Sequence, residues 1–360
     1  MLEAIVSGVI VFSVLVLVHE FGHFAAAKRV GAKVEEFAFG FPPRLYAVKR
    51  GETEYAINLI PFGGYVRLLG EEDPSSPGSL ASKTPWQRTQ VLMAGAGMNI
   101  VLGIVLFAAT FTIGVPVAEP VNDVVVAAVA AGSPAAAAGL RANDILLRLD
   151  AHTIKTIADL QQFTMENAGQ ETTLTVKRDG EVLPPIAIVP RADPPAGQGA
   201  LGIQIANYRT VVRSYPIWEA AWMGVQRSLE VVAVTLTAPI DIARGLMPGD
   251  AARPIGVVGI AQLTGAVSSQ IPTQGWVPIL NLTGYLSIGI AIAQLLPLPG
   301  LDGGRLVFVL LEWIRKGKRV RPEREGMIHL AGLLLLVTLM VIITYYDIVN
   351  PIQVPGLTSP

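Results

Sequence analysis

Apolar positions gather into long runs. Residues 4–27, 90–114, 277–298 and 328–349 are each almost continuously apolar. A helix needs about 20 apolar residues to cross ~30 Å of hydrocarbon, so each run predicts a transmembrane helix. The first run is too long for the apolar core of a secretory signal. No basic leader or small-residue cleavage site accompanies it. A fifth stretch, 216–240, carries Glu219, Arg227 and Glu230. A charge at mid-membrane is penalised by about 2.5–3.5 kcal/mol on insertion scales. That stretch is expected to lie at the membrane surface, with Trp218 and Trp222 at the interface, within an amphipathic segment 207–276.

Between the second and third runs the period changes. VNDVVVAAV and TTLTVKR are β-branched, and RDGEV offers an Asp-Gly hairpin turn. Short helices are expected after Ser133-Pro134 and from Ala158. The pattern predicts a small mixed α/β domain over 121–206, with 115–120 leading into it. A second β-prone stretch, 33–70, pairs FAFGF with TEYAINLI across a Lys-Arg-Gly-Glu turn.

Charge supplies the orientation. Lys and Arg gather in the segment after the first run (Lys28 to Arg88) and in the segment before the last (Arg305 to Arg324). Both are expected inside, leaving both termini and 115–276 outside. The net charge is −1, so no basic field would attract nucleic acid. Charged residues make up only 15% of the chain and hydrophobic ones 51%, which excludes an ordinary soluble enzyme. Cysteine is absent, so thiol catalysis, disulfides and Cys-based metal sites are excluded. Any metal must sit on His, Asp or Glu, and there are four histidines.

Two of them form His19-Glu20-Phe21-Gly22-His23, inside the first apolar run. Histidines at i and i+4 share one helix face, so both imidazoles can reach one zinc, and Glu20 stands beside them as a candidate base. Three ionisable groups in a membrane helix would be unfavourable without a function. A third ligand is needed. His152 falls in the outside domain and reads as a surface turn residue. His329 reads as an interfacial histidine at the start of the last helix. Asp302 follows the Pro-rich end of the third run and precedes Gly303-Gly304. It reads equally as a ligand brought back toward the site or as a helix-capping turn residue.

HEFGH in the first span, with LLPLPGLDGG after the third, resembles the site-2 protease family of intramembrane zinc metalloproteases, the bacterial regulator-of-sigma-E type in particular. GFPPRL (40–45), LIPFGGYVRLLGE (59–71), AGAGMNIVLG (94–103), PIGVVGI (254–260) and TYYDI (344–348) resemble that family too. The resemblance covers nearly the whole chain. It implies one Zn2+ on His19, His23 and Asp302, with Glu20 as the base. The family usually has Asn where this chain has Gln294, a residue linked to substrate binding; the amide is kept on a side chain one methylene longer. The resemblance also implies a polytopic α-helical membrane protein with four transmembrane helices. The middle domain, GSPAAAAGLRANDILLRLDAHTI, resembles an extracytoplasmic PDZ domain inserted at 115–206, its peptide-binding loop expected near Leu201, Gly202 and Ile203. The 33–70 stretch is expected to be a membrane-associated β-hairpin beside the site, with Gly63 and Gly64 permitting close approach to substrate.

The implied partners are membrane lipid and single-pass membrane proteins, such as anti-sigma factors and remnant signal peptides, first trimmed by a site-1-type protease. The implied location is the bacterial plasma membrane, with the active site toward the cytoplasm. A non-catalytic membrane PDZ receptor with a structural metal site, or a metal transporter, are the rival readings.

Overall fold

The computed structural model describes residues 2–71, 73–195, 197–247 and 253–352. The extreme termini, expected outside, are Met1 and 353–360 and lie beyond the described residues. The chain divides into two compact units, Met1–Ile113 with Tyr215–Pro360, and Gly114–Ser214.

In the first unit, α1 (Leu2–Arg29), α2 (Pro85–Ile113), α8 (Val277–Gln294) and α10 (Pro322–Val349) are long and apolar enough to cross a membrane. These are the four expected spans, with shifted ends. The third is shorter than expected because Pro297 and Pro299 follow. A residue before proline avoids the α region, so α8 stops at Gln294. Helix α2 is the hub of the unit, packing on α1, α8 and α5 (Ile217–Ala243).

That contact revises one expectation. The 207–276 stretch is not one interfacial segment. Its first residues complete a strand of the second unit, and the remainder holds α5, α6 (Val257–Ser268) and α7 (Ile271–Gln274). Helix α5 does not lie alone at a surface. Ala220, Gly224 and Ser228 recur every four residues and form its buried face. A Cβ added at Gly224 would come within 2.7 Å of the Ile104 carbonyl on α2. Small residues at this spacing let helix backbones approach closely in membranes. Two of the three charges that argued for the surface are partnered: Arg227 pairs with Glu230 at 2.9 Å and with the Tyr285 hydroxyl of α8. Trp218 and Trp222 remain exposed.

The ends of α6 and α10 are tied together. The buried Asp347 carboxylate near the end of α10 accepts the Gly256 and Gly259 N–H groups, each at 2.9 Å, and Arg253 at 3.0 Å. Those N–H groups belong to the start of α6, where a helix has no internal acceptors and favours an anion.

The expected hairpin at 33–70 is present as β1 (Val34–Arg50) and β2 (Thr53–Leu68), paired antiparallel. It is folded back on itself. Phe37 faces both Val66 and Tyr55, and Ala38 faces both Tyr65 and Ala56. The first half of β1 therefore lies between two parts of β2, and the Tyr65–Leu68 stretch forms an outer edge beside α1.

The second unit holds β3 (Val115–Val129), α3 (Pro134–Ala137), β4 (Ile145–Leu149), β5 (His152–Thr153), α4 (Ile157–Glu166), β6 (Thr172–Arg178), β7 (Glu181–Val182), β8 (Ile186–Ile188) and β9 (Ile203–Arg213). The sheet order is β7-β6-β4-β3-β9, with β5 against β4 and β8 against β6. Its core is aliphatic: Val124, Val126, Leu146, Leu149, Leu174 and Val176 are buried together. The alternation in the sequence pointed inward at these positions. The unit runs past the expected boundary at 206 because β3 and β9 stay paired to Val115 and Arg213. The ribbon of 115–120 and 208–213 buries no residue fully, so it offered no core-facing alternation to read.

Candidate metal centre

Helix α1 presents His19 and His23 one turn apart on one face, both buried. Asp302, first residue of α9 (Asp302–Ile314), completes a cluster. Its Oδ2 lies 3.1 Å from His19 Nε2 and 3.0 Å from His23 Nε2, and the two Nε2 atoms lie 3.0 Å apart. His19, His23 and Asp302 are the single metal-ligand cluster among the described residues, their ligand atoms within 4.8 Å of one another.

The tautomer of His23 follows from its surroundings. Its Nδ1 lies 2.9 Å from the Val91 carbonyl, which can only accept, so Nδ1 carries the proton. The Nε2 lone pair of His23 is thus directed at His19 Nε2 and the Asp302 carboxylate. The two Nε2 atoms and the Asp302 carboxylate oxygen thus converge to within 3.1 Å of one another, a donor set that a cation can bridge. Two imidazoles and one carboxylate suit zinc, leaving a position open for a reactant. The backbone bond to Val91 supplies the orienting partner that metal-binding histidines require. Burial raises the Asp302 pKa, but hydrogen bonds and the charge of both imidazoles outweigh it and hold the carboxyl well below the usual carboxylate range. Asp302 is therefore anionic, as a ligand must be.

Three supports of this geometry were invisible in the sequence. Gly95 on α2 lies under the rings: a Cβ there would come within 2.7 Å of His19 Nε2. Its setting in the small-residue run Ala94-Gly95-Ala96-Gly97 was the available signal. Helix α9 is locked to α2 by the ion pair Arg88–Glu312, both groups buried, with Arg319 also 3.0 Å from Glu312. His329, expected at an interface, is buried on α10, and its Nδ1 accepts the Gly300 N–H at 3.1 Å. It thereby fixes the loop that delivers Asp302.

Glu20 shares the cavity with the two histidines and reaches the hairpin. Its Oε2 accepts the Val66 N–H of β2 at 3.0 Å. Glu20, both histidines, Asp302, Gln294, Tyr65 and Val66 line one cavity of about 270 Å³. Gly63 and Gly64 are not among the residues lining this cavity. Gly63, at φ +77°, packs on Val16 of α1, and its N–H donates to Ser13 Oγ at 3.2 Å. Their small size brings the hairpin against α1, which sets Val66 over Glu20.

Leu201, Gly202 and Ile203 lie in the second unit. They line a groove of about 1190 Å³ between α4 and β9. Strand β9 is a sheet edge, paired with β3 on one side only. Gly202 takes φ +69° and gives its N–H to the Gly199 carbonyl at 2.9 Å. His152 is exposed, its ring against Phe163, as a surface turn residue would be.

The family model for peptidase family M50 matches residues 7–339. The chain belongs to peptidase family M50. A chain named as a zinc metalloprotease in Clostridium perfringens is 34% identical over 351 residues, covering 97% of this chain and 99% of the relative. The zinc metalloprotease RasP of Oceanobacillus iheyensis is 28% identical, covering 96% and 99%. The regulator of sigma-W protease RasP of Bacillus subtilis is 26% identical, covering 96% and 98%. This M50 peptidase is a multi-pass membrane protein and a zinc metalloprotease. The receptor and transporter readings give way to it.

Proposed function

We propose that this M50 peptidase cuts peptide bonds inside the transmembrane segments of single-pass membrane proteins already trimmed outside the membrane. The observation that carries this is the placement of Glu20, His19, His23 and Asp302 around one cavity on an apolar, membrane-length helix. His19, His23 and Asp302 hold one zinc. When bound, zinc would polarise the scissile carbonyl and lower the pKa of water to about 7. Glu20, held through Oε2 by the Val66 N–H, takes the proton from water at its other oxygen and passes it to the leaving amine. Gln294 hydrogen-bonds the substrate backbone near the cut.

A peptide bond in a membrane helix is hidden by its own hydrogen bonds as well as by lipid. The outer edge of β2 at Tyr65–Leu68 answers this: a substrate unwound beside it gains strand hydrogen bonds in place of helical ones. The basic segments support a site toward the cytoplasm, in the bacterial plasma membrane, with the second unit and both termini outside.

The second unit acts as a PDZ domain. A peptide adds as a strand to the free edge of β9, in the groove against α4. Because Gly202 spends its N–H on Gly199, its part is the turn that opens the groove. By excluding bulky outer domains or docking a new C-terminus, the unit restricts the enzyme to substrates left by a site-1-type protease. The sigma-W regulator among the relatives supports anti-sigma factors as one such class.

The test is cleavage in proteoliposomes of a single-pass substrate in full-length and trimmed forms, with products mapped by mass spectrometry. A cut within the apolar segment, with the trimmed form preferred, is expected. Deleting 121–206 should abolish that preference. Cuts confined to segments outside the membrane, or an unaltered preference after the deletion, would sink the reading.

A further inference from the structure

Helix α9 has a second face that the metal centre does not use. Glu312 is buried and paired with Arg88 of α2. Leu310, Trp313 and Ile314 are exposed. A cavity of about 340 Å³ opens between this face and the start of α2, lined by Trp86, Thr89, Leu306, Leu310 and Trp313 among others, and its lining is overwhelmingly apolar. At 13 residues α9 is too short to span a bilayer. An apolar face on a short helix, edged by exposed tryptophans, is the form of a helix lying in the interface plane.

Charge decides the occupant. Directly after α9, residues 315–321 read Arg-Lys-Gly-Lys-Arg-Val-Arg, with no acidic residue among them. Arg319 is engaged by Glu312, while Arg315, Lys316 and Lys318 are exposed. A protein helix in the cavity would leave these cations unanswered. One acyl chain in the cavity, with a phosphate-bearing headgroup on the cations, answers both features at once.

We propose that the cleft between α9 and the start of α2 is a binding site for an anionic phospholipid, its acyl chain against Trp86, Leu310 and Trp313 and its headgroup on Arg315, Lys316 and Lys318. The proposal rests on the membrane location of the chain, not on its protease chemistry. It has a consequence for that chemistry, because α9 begins at Asp302. A lipid that seats α9 in the interface also steadies the carboxylate of the metal centre.

The experiment uses the full chain in nanodiscs, with Trp218, Trp222 and Trp276 changed to Phe so that Trp86 and Trp313 report alone. Brominated phosphatidylglycerol or brominated phosphatidylcholine is titrated in as a contact quencher. Phosphatidylglycerol is expected to quench at about tenfold lower mole fraction or less, since each interfacial Lys or Arg adds its own attraction. The variant Arg315→Gln/Lys316→Gln/Lys318→Gln should quench equally with both lipids while its circular dichroism is unchanged. Equal quenching of the unsubstituted site by the two lipids would overturn the proposal. So would quenching by neither, which would assign the cleft to a protein segment. Nanodisc leaflets share one composition and no substrate is present, so the outcome is independent of orientation and of peptidase activity.

Discussion

Gly95→Ala is expected to abolish zinc binding and cleavage while leaving the protein at least as well folded. Alanine is favoured over glycine inside a helix by roughly 0.5–1 kcal/mol, so propensity alone would make this change stabilising. Geometry reverses the outcome at this one position. The added Cβ meets His19 Nε2 and Cε1 at 2.7 Å, a separation that no carbon keeps. Only the rings can yield, and they are the atoms that must converge. Gly97, two residues on, is the control, since a Cβ there meets nothing within 4 Å. Gly97→Ala should retain zinc and activity. Zinc content by plasma emission and cleavage of a single-pass peptide, read beside thermal unfolding, separate the two variants. Gly95→Ala with normal zinc and normal cleavage would mean that the rings do not work in the positions described.

Asp302→Asn should be almost as damaging, for a different reason. The side chain keeps its shape but loses the charge that the paired imidazoles favour. Loss of an outer-shell partner typically lowers metal affinity about 10–100-fold, and loss of an anionic ligand should exceed that. The neutral amide also leaves the two histidine Nε2 atoms, 3.0 Å apart, without a negative group beside them. Zinc affinity measured by chelator competition should fall by more than about 100-fold, with cleavage falling in step. An affinity within a few-fold of the parent would remove Asp302 from the ligand set and return it to its alternative, a residue that only starts α9.

The sequence carried the metal cluster further than the scaffold around it. Residues His19 and His23 were legible because helical periodicity alone puts i and i+4 on one face. Asp302 was not fixed by periodicity. It is 279 positions from His23, and resemblance to a family singled it out where spacing left it even with a capping role. Gly95 showed only as one of a run of small residues, since it acts by having no side chain, and Val66 could not be read at all, since it acts through its backbone N–H. The four spans were legible because hydrocarbon demands long apolar runs. The packing of α5 on α2 was not legible because its charges were weighed as unpaired, whereas Arg227 finds both Glu230 and Tyr285. The small residues Ala220, Gly224 and Ser228 that seat it on α2 look unremarkable in one dimension. The reach of β9 to residue 213, past the expected end at 206, was hidden likewise, because that stretch of the ribbon buries no residue fully.

The central claim is that one zinc on His19, His23 and Asp302 works with Glu20 on a peptide bond. Its most direct test is the zinc content and cleavage rate of Glu20→Gln beside the parent protein, both in the same lipid. Glu20 is bound to the Val66 N–H and is not among the ligand atoms, so the variant should hold one zinc per chain. Glutamine cannot take the proton, so cleavage should fall by at least about 10²–10⁴-fold, the range that a positioned acid–base group supplies. Equal cleavage by the two proteins, or loss of zinc together with cleavage, would contradict the assignment of separate metal-binding and proton-transfer roles.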